Sequence, residues 1–167
     1  MKKYILLILF IFVNLIYAKN KANDIEGFWI MPDKPKGRMK VVRIIEKNNN
    51  IYAYAVELHK DVKSTLDIYN PNKKLRDKEL KGLIFIYDIK FEDGEWKMGR
   101  IYHTDQGSIF YAKISLLEDK NTLYLRASLD KAGKIGATVE WKRLSEESYK
   151  YNDIQINKLR TIEGKSI

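Results

Sequence analysis

An apolar–polar alternation of period two recurs in one short run after another along this chain, each run ended by turn residues, and it leaves few folds open. Leu83, Phe85, Tyr87, Ile89 and Phe91 alternate with Ile84, Ile86, Asp88, Lys90 and Glu92. Leu123, Leu125, Ala127 and Leu129 alternate with Tyr124, Arg126 and Ser128, and Ile135, Ala137, Val139 and Trp141 with Gly136, Thr138, Glu140 and Lys142. Successive side chains of a strand point to opposite faces, so each series predicts a strand with one buried face and one wetter face. Asn48-Asn49-Asn50, Asp93-Gly94, Asp105-Gln106-Gly107, Glu118 to Asn121 and Lys131 to Lys134 fall between the runs. Asn and Gly tolerate the left-handed backbone that tight hairpins need. The runs cover 25–31, 39–47, 51–58, 83–92, 95–103, 108–117, 122–129 and 135–143, eight in all. Hairpin-linked strands in that number predict an all-β fold, an eight-stranded antiparallel up-and-down barrel whose closure removes exposed edges. On pattern alone a two-sheet sandwich is the alternative.

Two segments break the rhythm. Within 59–82, Asn70 is a good helix cap and Pro71 suits a first helical position, which predicts a short helical turn over 71–78. In the tail, 145–167, Ile154 and Ile156 suggest a strand, while Ile154, Lys158 and Ile162 fall at helical spacing. The pattern leaves both open.

Residues 1–18 read as a signal peptide. Lys2 and Lys3 precede an apolar run to Ala18, and the chain then turns polar with Lys19-Asn20-Lys21. A spanning helix needs about 20 apolar residues, more than this run offers, and Asn14 interrupts it. The expectation is therefore a cleaved leader, a polar linker over 19–24, a barrel domain over 25–144 and a tail, in a periplasmic or secreted protein with no transmembrane span after processing. With no cysteine there is no disulfide framework and no thiol nucleophile. The formal charge of +9 is spread among acids without a basic cluster, so a nucleic-acid partner is not expected.

Gly27-Phe28-Trp29 opens the first run as the Gly-x-Trp signature does in lipocalins, and Trp141-Lys142-Arg143 closes the last, where lipocalins carry a basic residue. Asn70-Pro71-Asn72-Lys73-Lys74-Leu75-Arg76-Asp77, then Gly82-Leu83, Trp96-Lys97-Met98-Gly99-Arg100, Gly107, Tyr111 and Leu123-Tyr124-Leu125-Arg126 come between them. In that order they resemble a bacterial exported domain-of-unknown-function family, DUF2147, with a lipocalin-like (calycin) barrel. Asn72 stands where that family usually has Asp, and His103-Thr104 where it has Asp-Pro. The resemblance implies that Gly27, Trp29, Trp141 and Arg143 close the barrel. It also implies that Arg143, or failing that Lys142, stacks on Trp29.

Catalytic constellations are weak. The two histidines, His59 and His103, lie far apart, and neither Asp61 nor Asp105 completes a closely spaced metal-ligand set. Neither Ser108 nor Ser115 has a nucleophile-elbow context. No cofactor, metal or enzymatic activity is expected; an enzyme would need a polar cluster such as His103, Asp105 and Arg126. Tyrosine occurs 11 times, often in the runs. An inward Tyr offers an apolar ring and a polar tip, and small barrels are either filled or just wide enough for one small ligand. Arg100, Tyr102, Tyr111 and Arg126 would make a pocket for an anionic amphiphile if they converge inside; on the outer wall they would make ordinary cross-strand pairs. The expected function is binding of a small hydrophobic or amphipathic molecule, for which an interior space near drug size, about 300 Å³ or more, is the requirement. The alternative is an envelope interaction module with a packed barrel, using the 59–82 loop.

Overall fold

The computed structural model describes residues 20–32, 37–149 and 154–167, with the Met98 side chain left aside. The proposed leader, 1–18, lies outside the described residues. Eight strands succeed one another: β1 Gly27–Ile30, β2 Met39–Lys47, β3 Asn50–Leu58, β4 Ile84–Glu92, β5 Glu95–His103, β6 Ser108–Leu116, β7 Thr122–Ser128 and β8 Gly136–Leu144. Each pairs antiparallel with the next, and β1 also pairs with β8 through Phe28↔Leu144, Trp29↔Arg143 and Ile30↔Lys142. That last ladder makes the sheet a closed barrel rather than a sandwich. The strands coincide with the eight alternating runs to within two residues at each end.

Closure gives the molecule two unlike ends. At the base lie the segment just before β1 and the tight turns at Asn48-Asn49 and Asp93-Gly94, all four of whose residues take positive φ. At the mouth lie the end of β1, the start of β2 and the longer connections 59–83, 104–107 and 129–135. Between them the interior holds Trp29, Val42, Ile44, Ile51, Ala53, Trp96, Ile114, Leu123 and Trp141, all nearly inaccessible to solvent.

A second apolar cluster lies outside the barrel. Phe28, Val41, Ile45, Tyr54, Val56 and Ile84 project outward from β1 to β4 and are buried beneath Leu159, with Tyr149, Ile154 and Ile167 packed against them. The tail supplies that cover through α1, Glu146–Tyr149, and a 3-10 turn at Ile156–Lys158. It is tied to β4 by Ile84 N donating to Arg160 O at 2.8 Å and Arg160 N donating to Gly82 O at 3.1 Å. Hence β4 is covered on both faces, which is why Leu83 to Ile86 is continuously apolar.

Bulges break the simple alternation. In β5 the register moves from Trp96↔Ile114 to Gly99↔Ala112, three residues against two. In β4 it moves from Tyr54↔Ile84 to Ala53↔Ile86, and again on the way to Ile51↔Ile89, where Asp88 takes φ +59°. Trp96 and Arg100 therefore do not share a face, as an unbroken alternation over 95–103 would have them do. The helical turn expected over 71–78 is shorter, a 3-10 turn at Lys73–Leu75, and Asn72 rather than Asn70 caps it by accepting from Lys74 N.

Candidate functional site

The base is sealed by a stacked pair. Trp29 is fully buried, and its Nε1 donates to Ile25 O at 2.9 Å. The Arg143 Cζ lies 4.3 Å from the Trp29 ring centroid. The guanidinium also donates to the carbonyls of Lys120, Glu26 and Asp24, each at 2.6 Å. Burial lowers the pKa of Arg143 from its ordinary value. A guanidinium nevertheless stays protonated at any physiological pH, and its planar face covers an indole while its edge donates. Trp141 sits above this plug, its ring 6.3 Å from Phe85, and its buried Nε1–H has no hydrogen-bond partner among the described residues.

The other end of the interior is open. A cavity of about 230 Å³ lies between Met31, Met39, Phe85 and Ile101 on one side and Leu125, Ala127, Ala137 and Val139 on the other. Its rim carries Arg38, His103, Thr104 and Asp105. Arg38 is committed to structure: Nε donates to Asp105 Oδ1 at 2.5 Å, Nη1 to Leu66 O at 2.7 Å and Nη2 to Thr104 O. It clamps three mouth connections together and offers no free edge to a ligand. A cleft of about 620 Å³ opens at the base beside Ala22, Glu26 and Asn48 to Asn50, beyond the plug. It is walled by turns and acids, whereas the smaller cavity has the mostly apolar wall that a ligand site needs.

Tyr102 is buried and lines the cavity, with its hydroxyl turned to the 59–82 excursion. Its hydroxyl donates to Asp67 Oδ1 at 2.8 Å, and Asp67 is itself fully buried. Asn70 Nδ2 donates to Asp67 Oδ2 at 2.8 Å and to Ile162 O at 3.1 Å, while Arg76 Nε donates to Asn70 O at 2.8 Å. Arg160 approaches Asp67 at 3.5 Å. The motif residues Asn70, Leu75 and Arg76 thus form a latch that joins excursion, tail and wall, with Leu75 lying against Gly164, while Pro71 is exposed. The excursion is part of the wall, and deleting 66–78 would strip the partner from Tyr102.

The remaining expected ligand residues gather elsewhere. The Arg100 Cζ stacks 3.9 Å from the Tyr111 ring centroid, and Tyr111 and Arg126 line a groove of about 400 Å³ with Lys97, Lys113 and Lys131. The β6–β7 register sets Arg126 opposite Lys113 and Leu125 opposite Ile114, which puts Arg126 on the outer wall. Arg126 is spent on Gly133 O at 2.5 Å, Thr138 Oγ1 at 3.1 Å and Lys134 O at 3.2 Å. The interior carboxylate pocket of Arg100, Tyr102, Tyr111 and Arg126 is therefore not formed, nor is a cluster of His103, Asp105 and Arg126. The sequence missed the cavity wall itself, whose only signal was the small pair Ala127 and Ala137, directly opposite each other in the β7–β8 ladder. Among the described residues no three His, Asp or Glu side chains are placed to share a metal ion.

A closed up-and-down barrel of eight strands, plugged by a tryptophan under an arginine of the last strand and open at the far end, is a barrel of the lipocalin type. The chain belongs to the family of uncharacterized proteins conserved in bacteria known as DUF2147, whose model matches residues 27–143. It is similar in structure to protein HP1028 of Helicobacter pylori, which is described as belonging to the lipocalin family. The TM-score is 0.72 at 28% sequence identity, over 81% of this chain and 94% of that one. Among curated proteins none matches.

Proposed function

We propose that this is a non-catalytic binding protein of the periplasmic or secreted fraction, holding the apolar end of a small amphipathic molecule in the barrel. The observation that carries this reading is the cavity: apolar on its walls, sealed below by Trp29 and Arg143, and open at the mouth beside the polar groups of Arg38, His103, Thr104 and Asp105. At about 230 Å³ it falls short of drug size, about 300 Å³. That narrows the ligand to a short chain or single ring inside, with its polar end at the level of His103 and Thr104. Burial of apolar ligand surface supplies the affinity, about 25 cal/mol per Å² before the entropic cost of binding.

The test fills the cavity from its wall. Ala137 faces the opening from β8, and Ala137→Trp would occupy the space a ligand needs. Titration with a fluorescent short-chain fatty acid should saturate for the wild type and weaken at least about tenfold for Ala137→Trp, the factor expected for losing the contacts of about two methylenes. Native mass spectrometry of gently purified protein should show a bound small molecule. Absent or unaltered saturation, with no adduct in the spectrum, would overturn the reading.

A further inference from the structure

Of the large apolar side chains exposed among the described residues, all but Leu117 and Ile156 stand at the mouth: Ile68, Tyr69, Ile109, Leu129 and Ile135. They are neighbours around half the rim. The Tyr69 carbonyl packs so closely on Gly107 that a Cβ there would collide with it. Ile109 is the second residue of β6, whose Tyr111 pairs with Ser128, next to Leu129. Leu129 N donates to Ile135 O at 2.8 Å, so these two project together from the β7–β8 hairpin, 68% and 63% exposed. Large apolar side chains clustered in solvent mark an interaction surface. The hairpin also continues directly from Ala127 and into Ala137, which line the cavity.

Charge divides the same way along the barrel axis. Lys60 and Lys63 come after β3, and Lys131 and Lys134 tip the hairpin, all exposed at the mouth. Of the acids at this end, Asp67 lies under Tyr102, Asp105 on Arg38, and Asp130 accepts the N–H groups of Lys134 and Ile135, while the exposed Asp61, Asp77 and Glu79 are outnumbered by the exposed Lys73, Lys74, Lys78 and Lys81 of the same connection. At the base, Glu92-Asp93, Glu118-Asp119 and Glu146-Glu147 are exposed. Such a charge asymmetry orients a protein mouth-first toward a negative surface.

We infer that the mouth rim docks on an anionic lipid bilayer, placing the cavity opening against the lipid from which its ligand enters or leaves. A bilayer meets the three features together: apolar tips pass the headgroups, lysines stay at headgroup level, and the opening faces the acyl layer. The purpose of docking rests on the proposed cavity function; docking itself is measured without ligand.

The test uses residues 20–167, which contain the whole closed sheet and both apolar clusters, so that the apolar leading segment does not itself bind lipid. Co-sedimentation is read with vesicles of phosphatidylcholine and of phosphatidylcholine mixed with phosphatidylglycerol. The expected result is pelleting with the anionic vesicles, weakened by salt. About tenfold weaker binding is expected for Leu129→Ser/Ile135→Ser and for Lys131→Glu/Lys134→Glu, with unchanged circular dichroism. Wild-type protein that stays in the supernatant at low salt, or double variants that pellet as well as wild type, would overturn the inference. So would a vesicle-free dimer abolished by Leu129→Ser/Ile135→Ser, which would assign the rim to a second copy. The fatty-acid titration, run without vesicles, separates the two readings: intact ligand binding with lost docking removes only the bilayer, and the converse removes only the cavity ligand.

Discussion

Arg143 and Tyr102 show how much a single side chain can fasten in a barrel of this size. The Arg143 guanidinium lies over Trp29 and spends its edge on the carbonyls of Asp24, Glu26 and Lys120, so one planar cation holds the segment before β1, the first strand and the β6–β7 turn. Lysine could place only one small ammonium there. Tyr102 does comparable work at the other end, where its hydroxyl meets buried Asp67. Tyr102→Phe keeps the ring and removes that bond, leaving the carboxylate with Asn70 and Arg160; the expected cost is about 2 kcal/mol in urea unfolding at neutral pH. Burial first, and then Asp67, raises the Tyr102 phenol well above its ordinary 10.0. Above pH 10 the unfolded chain releases this proton while the folded chain retains it, so native stability falls as pH rises. Burial also raises Tyr52, Tyr54 and Tyr87. The alkaline decline should therefore become shallower in Tyr102→Phe without vanishing; an identical slope would deny the phenol its role.

At the scale of strands, the sequence was readable to the extent that period two survives. The turns at Asn48-Asn49 and Asp93-Gly94 and the Gly-x-Trp opening were enough to place every strand and the plug. The face of Arg100 was not readable, because one inserted residue turns all later side chains to the other face. The β5 bulge between Trp96 and Gly99 does this to Arg100, which sequence parity groups with inward Trp96. Nothing local announces that bulge except Gly99, and its reason is tertiary. A Cβ at Gly99 would overlap Ile89 Cγ1 and come within 3.0 Å of Tyr87 O. Gly99→Ala should cost about 2 kcal/mol, as overpacking does, and distinctly less in an Ile89→Ala background where the colliding atom is gone. A double-mutant cycle with no coupling would mean that Gly99 serves the bulge through its backbone alone.

For the molecule as a whole, the barrel that matches the family model ends at residue 143, yet the outer face of β1 to β4 is finished only by the tail. No periodicity within 145–167 could have shown this, because the tail's apolar residues answer to a surface built in part by β1 and β2, far earlier in the chain. Phe28, Val41 and Ile84 are fully buried, and Leu159, 1% exposed, is the tail's main contribution to their cover. Fully burying one such aliphatic side chain contributes about 1.5–3 kcal/mol, against a total stability of about 5–15 kcal/mol for a domain. The tail also brings Arg160 to Asp67 and the Ile162 carbonyl to Asn70, so its loss unfastens the excursion as well. A chain ending at Ser145 should keep its strand circular dichroism but unfold at a much lower urea concentration. With its outer apolar face open it should also self-associate, read as a concentration-dependent mass in light scattering. Leu159→Ala provides the graded version, a loss of about 2–4 kcal/mol in a chain that stays monomeric because the rest of the cover remains. Should the truncated chain stay monomeric with an unshifted midpoint, the barrel would be complete at β8 and the outer cluster a passive coat.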